Sequence, residues 1–191
     1  MIRRIESGDI GKVAVMHRVE LSGFLPELGQ KFLEMFYKSS LKVPEMFTFV
    51  DCEGGKVTGF VSGVTAAREL NKRIIFEQPV QFGFILLKYL ITHPYSAGKF
   101  IKILSYPGFK EPGAELLTLA VDKDRRLRGI GRKLFERTVA EFKKRGINKF
   151  KISAYARLDA NKFYEKIDCR LLSSFDFLGE KMNYFEYKIT P

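Results

Sequence analysis

The sequence predicts a single α/β domain, on three observations. Glu115–Val121 is an apolar run that passes through a basic loop with two glycines into an amphipathic helical pattern, as a strand does when it hands over to a helix. Residues 46–50 and 57–64, and again Arg170–Phe177 and 183–189, are pairs of short apolar runs joined by turn residues, which is how hairpins read. A chain of 191 residues with 46% hydrophobic content can bury one substantial core.

Taken in order, residues 2–5 read as a short strand, followed by a helix that Ser7 or Asp9 can cap. Ile10, Val13, Ala14, His17 and Leu21 then recur at helical spacing as its buried stripe. Ser22-Gly23-Phe24-Leu25-Pro26 breaks that helix, and a second begins near Pro26 with Leu28, Phe32, Met35 and Phe36 on one face. The strands at 46–50 and 57–64 are joined across Glu53-Gly54-Gly55-Lys56, a hairpin turn. Residues 68–112 are helical in pattern. Phe82, Ile85, Leu86, Tyr89 and Leu90 mark one helix, stopped by His93-Pro94; Phe100, Ile101 and Leu104 mark another, ending before Pro107-Gly108. This segment reads as an inserted arm or lid within one domain spanning residues 1–191. Glu115–Val121 reads as a strand buried on both faces. In the helix after the loop, Leu134, Phe135, Thr138, Val139 and Phe142 point inward, and basic residues 143–145 with Gly146 close it. Lys149–Tyr155 is the next strand and 159–166 a short helix, and the last two strands form a hairpin about Gly179-Glu180-Lys181.

The formal charge of +11 is concentrated. Residues 122–151 hold twelve Lys or Arg against four Asp or Glu, a net +8, leaving +3 for the rest of the chain. A polyanionic small ligand accounts for that focus, as does a solvated helix face in part; an RNA-binding module using 122–151 is a further reading, though no RNA motif accompanies it. The beginning of the chain has neither a secretory nor a transit pattern, which favours the cytoplasm. The uncharged run at 78–87 is far short of the roughly 20 residues that span a bilayer. Cys52 and Cys169 support no disulfide framework and suggest a reducing compartment.

The loop itself is an anion cradle. Gly129 and Gly131 let the backbone approach a ligand closely. The free N–H groups and the dipole of the helix start favour a phosphate or pyrophosphate. Arg125, Arg126, Arg128, Arg132 and Lys133 surround it. The third glycine of the dinucleotide fingerprint is missing, and no Gly-x-x-x-x-Gly-Lys-Ser/Thr is present. The spacing Arg126-x-x-Gly129-x-Gly131 is instead similar to the coenzyme A pyrophosphate loop of the GNAT N-acetyltransferase superfamily. A second stretch, Ala160-Asn-Lys-Phe-Tyr-Glu-Lys166, resembles that family's helix ending in Phe-Tyr-Glu-Lys, and the order of elements agrees over nearly the whole chain except 68–112.

The resemblance implies an α/β (α+β) domain with a mixed, mostly antiparallel sheet of six to seven strands, flanked by helices; the helical insert before the coenzyme-binding strand, residues 68–112, is read from the sequence itself. It implies acetyl-CoA as donor, with Arg126, Leu127, Arg128, Gly129, Ile130, Gly131 and Arg132 at the pyrophosphate. Leu119, Ala120 and Val121, on a strand splayed from its neighbour, would pair with the pantetheine chain and polarise the thioester carbonyl. Tyr164 would return a proton to the departing thiolate. Where the family often has asparagine, seven positions before this tyrosine, this chain has Arg157; Asn161 is then the candidate for that coenzyme contact. Ile167-Asp168-Cys169 replaces the usual Leu-Gly-Phe. The pattern Ala-Glu-x-x-x-x-Ala-Val at 114–121 is similar to histone-acetylating members, which makes Glu115 the candidate general base; a solvated carboxylate at a strand's start is the plainer alternative.

His17 reads as a satisfied core or rim histidine, and His93 as a turn residue in preference to a substrate contact. No pairing of His and Cys at ligand spacing suggests a metal, and no nucleophile motif suggests a covalent step. Direct acetyl transfer to a primary amine in a ternary complex is the consistent chemistry. A non-catalytic acyl-CoA sensor or adaptor is the alternative. The acceptor would enter near residues 23–26 and 82–104, which are apolar with few carboxylates. A polyamine is disfavoured there; a small amine, an amino sugar or a peptide amine fits. Apolar residues on the arm are available for a homodimer or a membrane surface.

Overall fold

The structure, a computed structural model, describes residues 1–94, 98 and 113–190, without the side chains at 68, 69, 71 and 72. Its strands are β1 (Ile2–Arg4), β2 (Met46–Glu53), β3 (Lys56–Val64), β4 (Glu115–Val121), β5 (Lys149–Tyr155), β6 (Arg170–Phe177) and β7 (Glu180–Lys188). Its helices are α1 (Ile10–Glu20), α2 (Phe24–Glu27), α3 (Gln30–Ser40), α4 (Ala67–Glu77), α5 (Pro79–Thr92), α6 (Ile130–Lys144) and α7 (Ala160–Lys166). The strands form one sheet in the order β1-β2-β3-β4-β5-β7-β6. Every neighbouring pair is antiparallel except β4 and β5. A single mixed, mostly antiparallel α/β domain is therefore the fold, as expected.

Alternation along the strands sends apolar side chains to both faces, so helices must cover both. On one face, Val13 and Met16 of α1, Phe32, Phe36 and Tyr37 of α3, Ile74 of α4 and Phe82 of α5 bury Val50, Phe60 and Val64. On the other, Leu134, Phe135 and Phe142 of α6 and Tyr164 of α7 pack on Phe47, Phe49, Val61, Phe150, Ile152 and Phe185. A side chain as fully buried as Phe82 contributes roughly 1.5–3 kcal/mol. Glu141, buried on α6, takes Arg145 Nε at 2.9 Å and Arg4 at 3.5 Å, so its charge is met within the fold.

Several expectations are corrected. Asp9, not Ser7, stands at the N-cap of α1, but its side chain makes no cap bond there; it is buried, accepts the Glu6 N–H at 2.9 Å and pairs with Arg3 at 2.6 Å. The second helix is two, since Gly29 separates the short α2 from α3. The 68–112 segment opens with α4, which periodicity missed, and continues with α5. Pro79 stands in the first turn of α5, where its missing N–H costs nothing. The helix expected around Phe100, Ile101 and Leu104 lies outside the described residues. The last hairpin turns at Leu178-Gly179, because Phe177 pairs with Glu180, so β7 starts three residues earlier than expected. β4 is mostly half-buried rather than sealed on both faces, for a reason that belongs to the site.

Candidate active site

β4 and β5 pair only at Glu115↔Lys151 and Leu116↔Ile152, and then separate. β3 meanwhile holds the other edge of β4 as far as Gly59↔Val121, through a bulge that leaves Leu117 without an opposite residue. From Leu117 onward the side of β4 that faces β5 is thus an open edge inside a sheet. Among its polar groups, the Val121 carbonyl accepts Arg126 Nε at 3.2 Å. An extended chain laid in this gap would find ladder partners.

The loop after β4 is shaped from within. Asp122 accepts the Asp124 N–H at 2.9 Å and starts a 3-10 turn, Lys123–Arg125. Leu127 has φ 62° and a fully exposed side chain, and Gly129, the cap of α6, has φ 78°. The left-handed region costs a side-chain-bearing residue roughly 1–2 kcal/mol, so Leu127 is strained where no packing rewards it. The N–H groups of Leu127, Arg128 and Gly129 find no acceptor among the described residues. Those of the first α6 turn lack intrahelical partners by construction. A Cβ on Gly131 would lie 3.8 Å from both the Phe163 ring and the Val121 side chain, so the loop, the end of β4 and α7 meet there.

The arginines divide into two sets. Arg126 is paired with Glu20 at the end of α1, which also accepts the Lys123 N–H at 3.3 Å. Arg125 pairs with Glu53 at 2.6 Å. Arg128 and Arg132 are exposed and make no ion pair with a described residue. Arg137 and Arg145 share one carboxylate, Glu141, and Lys149 pairs with Glu186, so part of the basic 122–151 segment is balanced within the fold.

Glu115 sits at the closed end of the gap, half-buried, and accepts Ser153 Oγ at 3.3 Å. Burial raises its pKa above the ordinary carboxylate value, with Ser153 and Lys151 partly opposing. Ser153 and Tyr155 share its face of the sheet, because Phe150, Ile152 and Ala154 alternate to the other. Tyr164 is in the core on the opposite face, 5.7 Å from the Phe185 ring. Its hydroxyl hydrogen-bonds no described residue, and burial, with Cys169 nearby, pushes its pKa well above that of a free phenol. Asn161 departs from its expected coenzyme contact. It is buried, and its amide donates to the carbonyls of Tyr155, Ala156 and Leu158 at 2.9, 3.2 and 2.6 Å while its oxygen accepts from Asn183 at 3.0 Å. Both amide hydrogens hold the β5–α7 loop closed. Arg157 pairs with Glu180 at 2.6 Å and stacks over Tyr155. Asp168 takes φ 62°, so an aspartate adopts the turn conformation a glycine would have adopted there.

His17 is buried with Nδ1 2.7 Å from the Tyr37 hydroxyl, and burial lowers its pKa to about 4, a neutral core histidine. His93 caps α5 and stacks on Tyr89. Among the described residues no three His, Cys, Asp or Glu come together as a metal site, and no helix is long and apolar enough to cross a membrane. Sequence reasoning missed Glu20, Ser153 and Tyr155. The alternation along β5 was the available signal for the last two. At the open end of the gap, Tyr155 borders a cavity of about 420 Å³ with α1, α2 and the β6–β7 turn.

Residues 14–168 match the model of the acetyltransferase (GNAT) family. No curated protein matches the chain in sequence. In fold, it is similar to an N-acetyltransferase from Staphylococcus aureus (TM-score 0.65, 15% identity, 100% of this chain and 98% of that one covered). It is also similar to the ribosomal-protein-S18-alanine N-acetyltransferase of Escherichia coli (0.62, 16%, 100% and 94%). A third likeness is to the PaiA N-acetyltransferase of Thermoplasma acidophilum in complex with coenzyme A (0.62, 14%, 98% and 98%). With the separated strands, the donor-rich loop and a family match over most of its length, this chain belongs to the GNAT family of acetyltransferases.

Proposed function

We propose that the protein moves an acetyl group from acetyl-CoA to a primary amine by direct transfer in a ternary complex. The observation that carries this reading is the early end of the β4–β5 ladder, directly beside a loop whose N–H groups lack acceptors among the described residues. The residues present suit the coenzyme: an extended polar chain matches the open edge at Leu119, Ala120 and Val121, and a pyrophosphate matches the N–H groups from Leu127 to Arg132, including Gly129, Ile130 and Gly131, with Arg128 and Arg132 supplying charge. Arg126 serves from its bond with Glu20, orienting the loop. When bound, acetyl-CoA supplies the acetyl group as a thioester, whose C–S bond breaks as the C–N bond forms.

The chain's own groups handle the protons. An amine arrives mainly as ammonium and must lose a proton before it can attack. Glu115, made more basic by burial, takes that proton directly or through one water. Tyr164, kept protonated by burial, gives its phenolic proton to the departing sulfur. α4 and α5, inserted between β3 and β4, are read as an arm of the same 1–191 domain, and two free cysteines fit a cytoplasmic setting. The reading is tested by titrating acetyl-CoA calorimetrically and then screening amines for release of free thiol. Binding with turnover is expected; no binding at millimolar ligand would sink it.

A further inference from the structure

The cavity at the open end of the gap is lined by Arg18 of α1, Gly23, Phe24, Glu27, Tyr155 and Leu178, among others. Its volume of about 420 Å³ suits a small molecule rather than a folded chain. Gly23 makes that space: a Cβ there would stand 3.1 Å from the Tyr155 hydroxyl, at a backbone φ of 127°. Tyr155 lies two residues beyond Ser153, the partner of Glu115, so roughly 7 Å of strand separates the cavity from the base.

The charges in this cavity select. Arg157 is already neutralised by Glu180, at 2.6 and 3.4 Å, and its guanidinium lies over the Tyr155 ring, 5.1 Å from its centre. Among the described residues Glu27 receives only a neutral donor, the Tyr89 hydroxyl, at 3.4 Å. Arg18 has no ion pair or hydrogen bond with a described residue. The cavity therefore offers, among the described residues, one guanidinium without a carboxylate and one carboxylate without a cation, beside the apolar surfaces of Phe24, Pro26 and Leu178. A polyamine would satisfy Glu27 and be repelled by Arg18. A simple anion would satisfy Arg18 and be repelled by Glu27. A molecule carrying both signs satisfies both, and the planar fork of Arg18 suits a carboxylate.

We infer that the acceptor is a free amino acid, its carboxylate held by Arg18 while Glu27 draws in its ammonium group from solvent. This rests on the acetyl-transfer reading above. The test compares kcat/KM for matched pairs, L-phenylalanine against phenethylamine and L-lysine against cadaverine, in the wild type and in Arg18→Gln. Arg18 is exposed, so the variant is expected to fold, and a thermal melt checks it. The expected result is a preference for the amino acid of about tenfold or more, shrinking about tenfold in Arg18→Gln. A preference for the decarboxylated amines, or a ratio that Arg18→Gln leaves unmoved, overturns the inference. Binding of each amino acid to the protein alone is read separately by calorimetry. Failure of acetyl-CoA to bind would then defeat the donor reading, while amino-acid binding lost in Arg18→Gln would still uphold the cavity assignment; absence of both binding and turnover of any amino acid overturns it.

Discussion

Gly59, in the middle of β3, lies beneath the first turn of α6, and a single methyl group there should damage both the fold and the coenzyme loop. A Cβ at this position would stand 3.0 Å from the Ala120 carbonyl oxygen, 3.0 Å from Leu134 Cδ1 and 3.2 Å from Ile130 Cγ2. The two side-chain ends can turn aside. The carbonyl cannot, because Phe60↔Ala120 pairing fixes β4 against β3. Relief must come from lifting α6 or pushing β4 toward the gap. Overpacking of this kind costs about 1–3 kcal/mol. For a domain of this size each kcal/mol lowers Tm by about 2–4 °C, so Gly59→Ala should melt roughly 2–12 °C below the wild type. The same displacement moves the N–H groups that begin at Ile130, and acetyl-CoA affinity should fall about tenfold for each 1.4 kcal/mol by which their hold on the pyrophosphate weakens. Thermal unfolding followed by circular dichroism, paired with calorimetric titration, measures both. Gly8→Ala is the control, since nothing lies within 4 Å of its added Cβ; it should stay within about 0.5 kcal/mol. A Gly59→Ala protein that melted with that control and bound acetyl-CoA as tightly as the wild type would refute the overpacking.

At Gly63 a Cβ would meet Phe47 Cζ at 2.5 Å with Phe142 Cζ at 3.0 Å behind it, so Gly63→Ala should cost about 3 kcal/mol, read as a lower urea midpoint at unchanged slope; an unshifted midpoint counts against it. Glu115→Gln should lower kcat/KM by about 10²–10⁴. Because burial raises this pKa, the wild type's acid limb should lie above the ordinary value of 4.5 and be missing from the variant. The sign for stability is opposite. Folding favours the neutral carboxyl, so the wild type loses stability as pH rises past 4.5, and Glu115→Gln should be the more stable protein at pH 7, with equal melts disproving the cost of burying the charge. Tyr164→Phe should reduce kcat by about 10² with acetyl-CoA affinity and Tm nearly unchanged, since the hydroxyl hydrogen-bonds no described residue; an unaltered kcat removes Tyr164 from the proton step.

What could be read in advance was whatever depends on local periodicity. Glu115–Val121 emerged with the right bounds, though not the right burial, and most of the inner face of α6 with it, because alternation and 3.6-residue spacing are set by the chain itself. The Gly54-Gly55 turn was equally plain. What stayed hidden depends on partners far along the chain. Asn161 looked like a ligand contact because its helix did; its true acceptors, the carbonyls of Tyr155, Ala156 and Leu158, are defined only once β5 and α7 are joined. Glu20 carried no signal at all, since the arginine it meets is 106 residues away. The separation of β4 from β5 followed from resemblance, not from either strand's composition.

The bond between Glu20 and Arg126 has a consequence for how the site meets an anion. A loop tied to α1 before any ligand arrives has lost its conformational freedom during folding, so binding need not order it again. The same tie removes Arg126 from the long-range field, as Glu53 removes Arg125. Of the five cations around the glycines, Arg128 and Arg132 are the two that still act at a distance without an ion pair to a described residue; Lys133 already feels Asp51. Coenzyme capture should therefore respond to added salt far more weakly than a count of arginines implies, with fit to directed N–H groups outweighing charge.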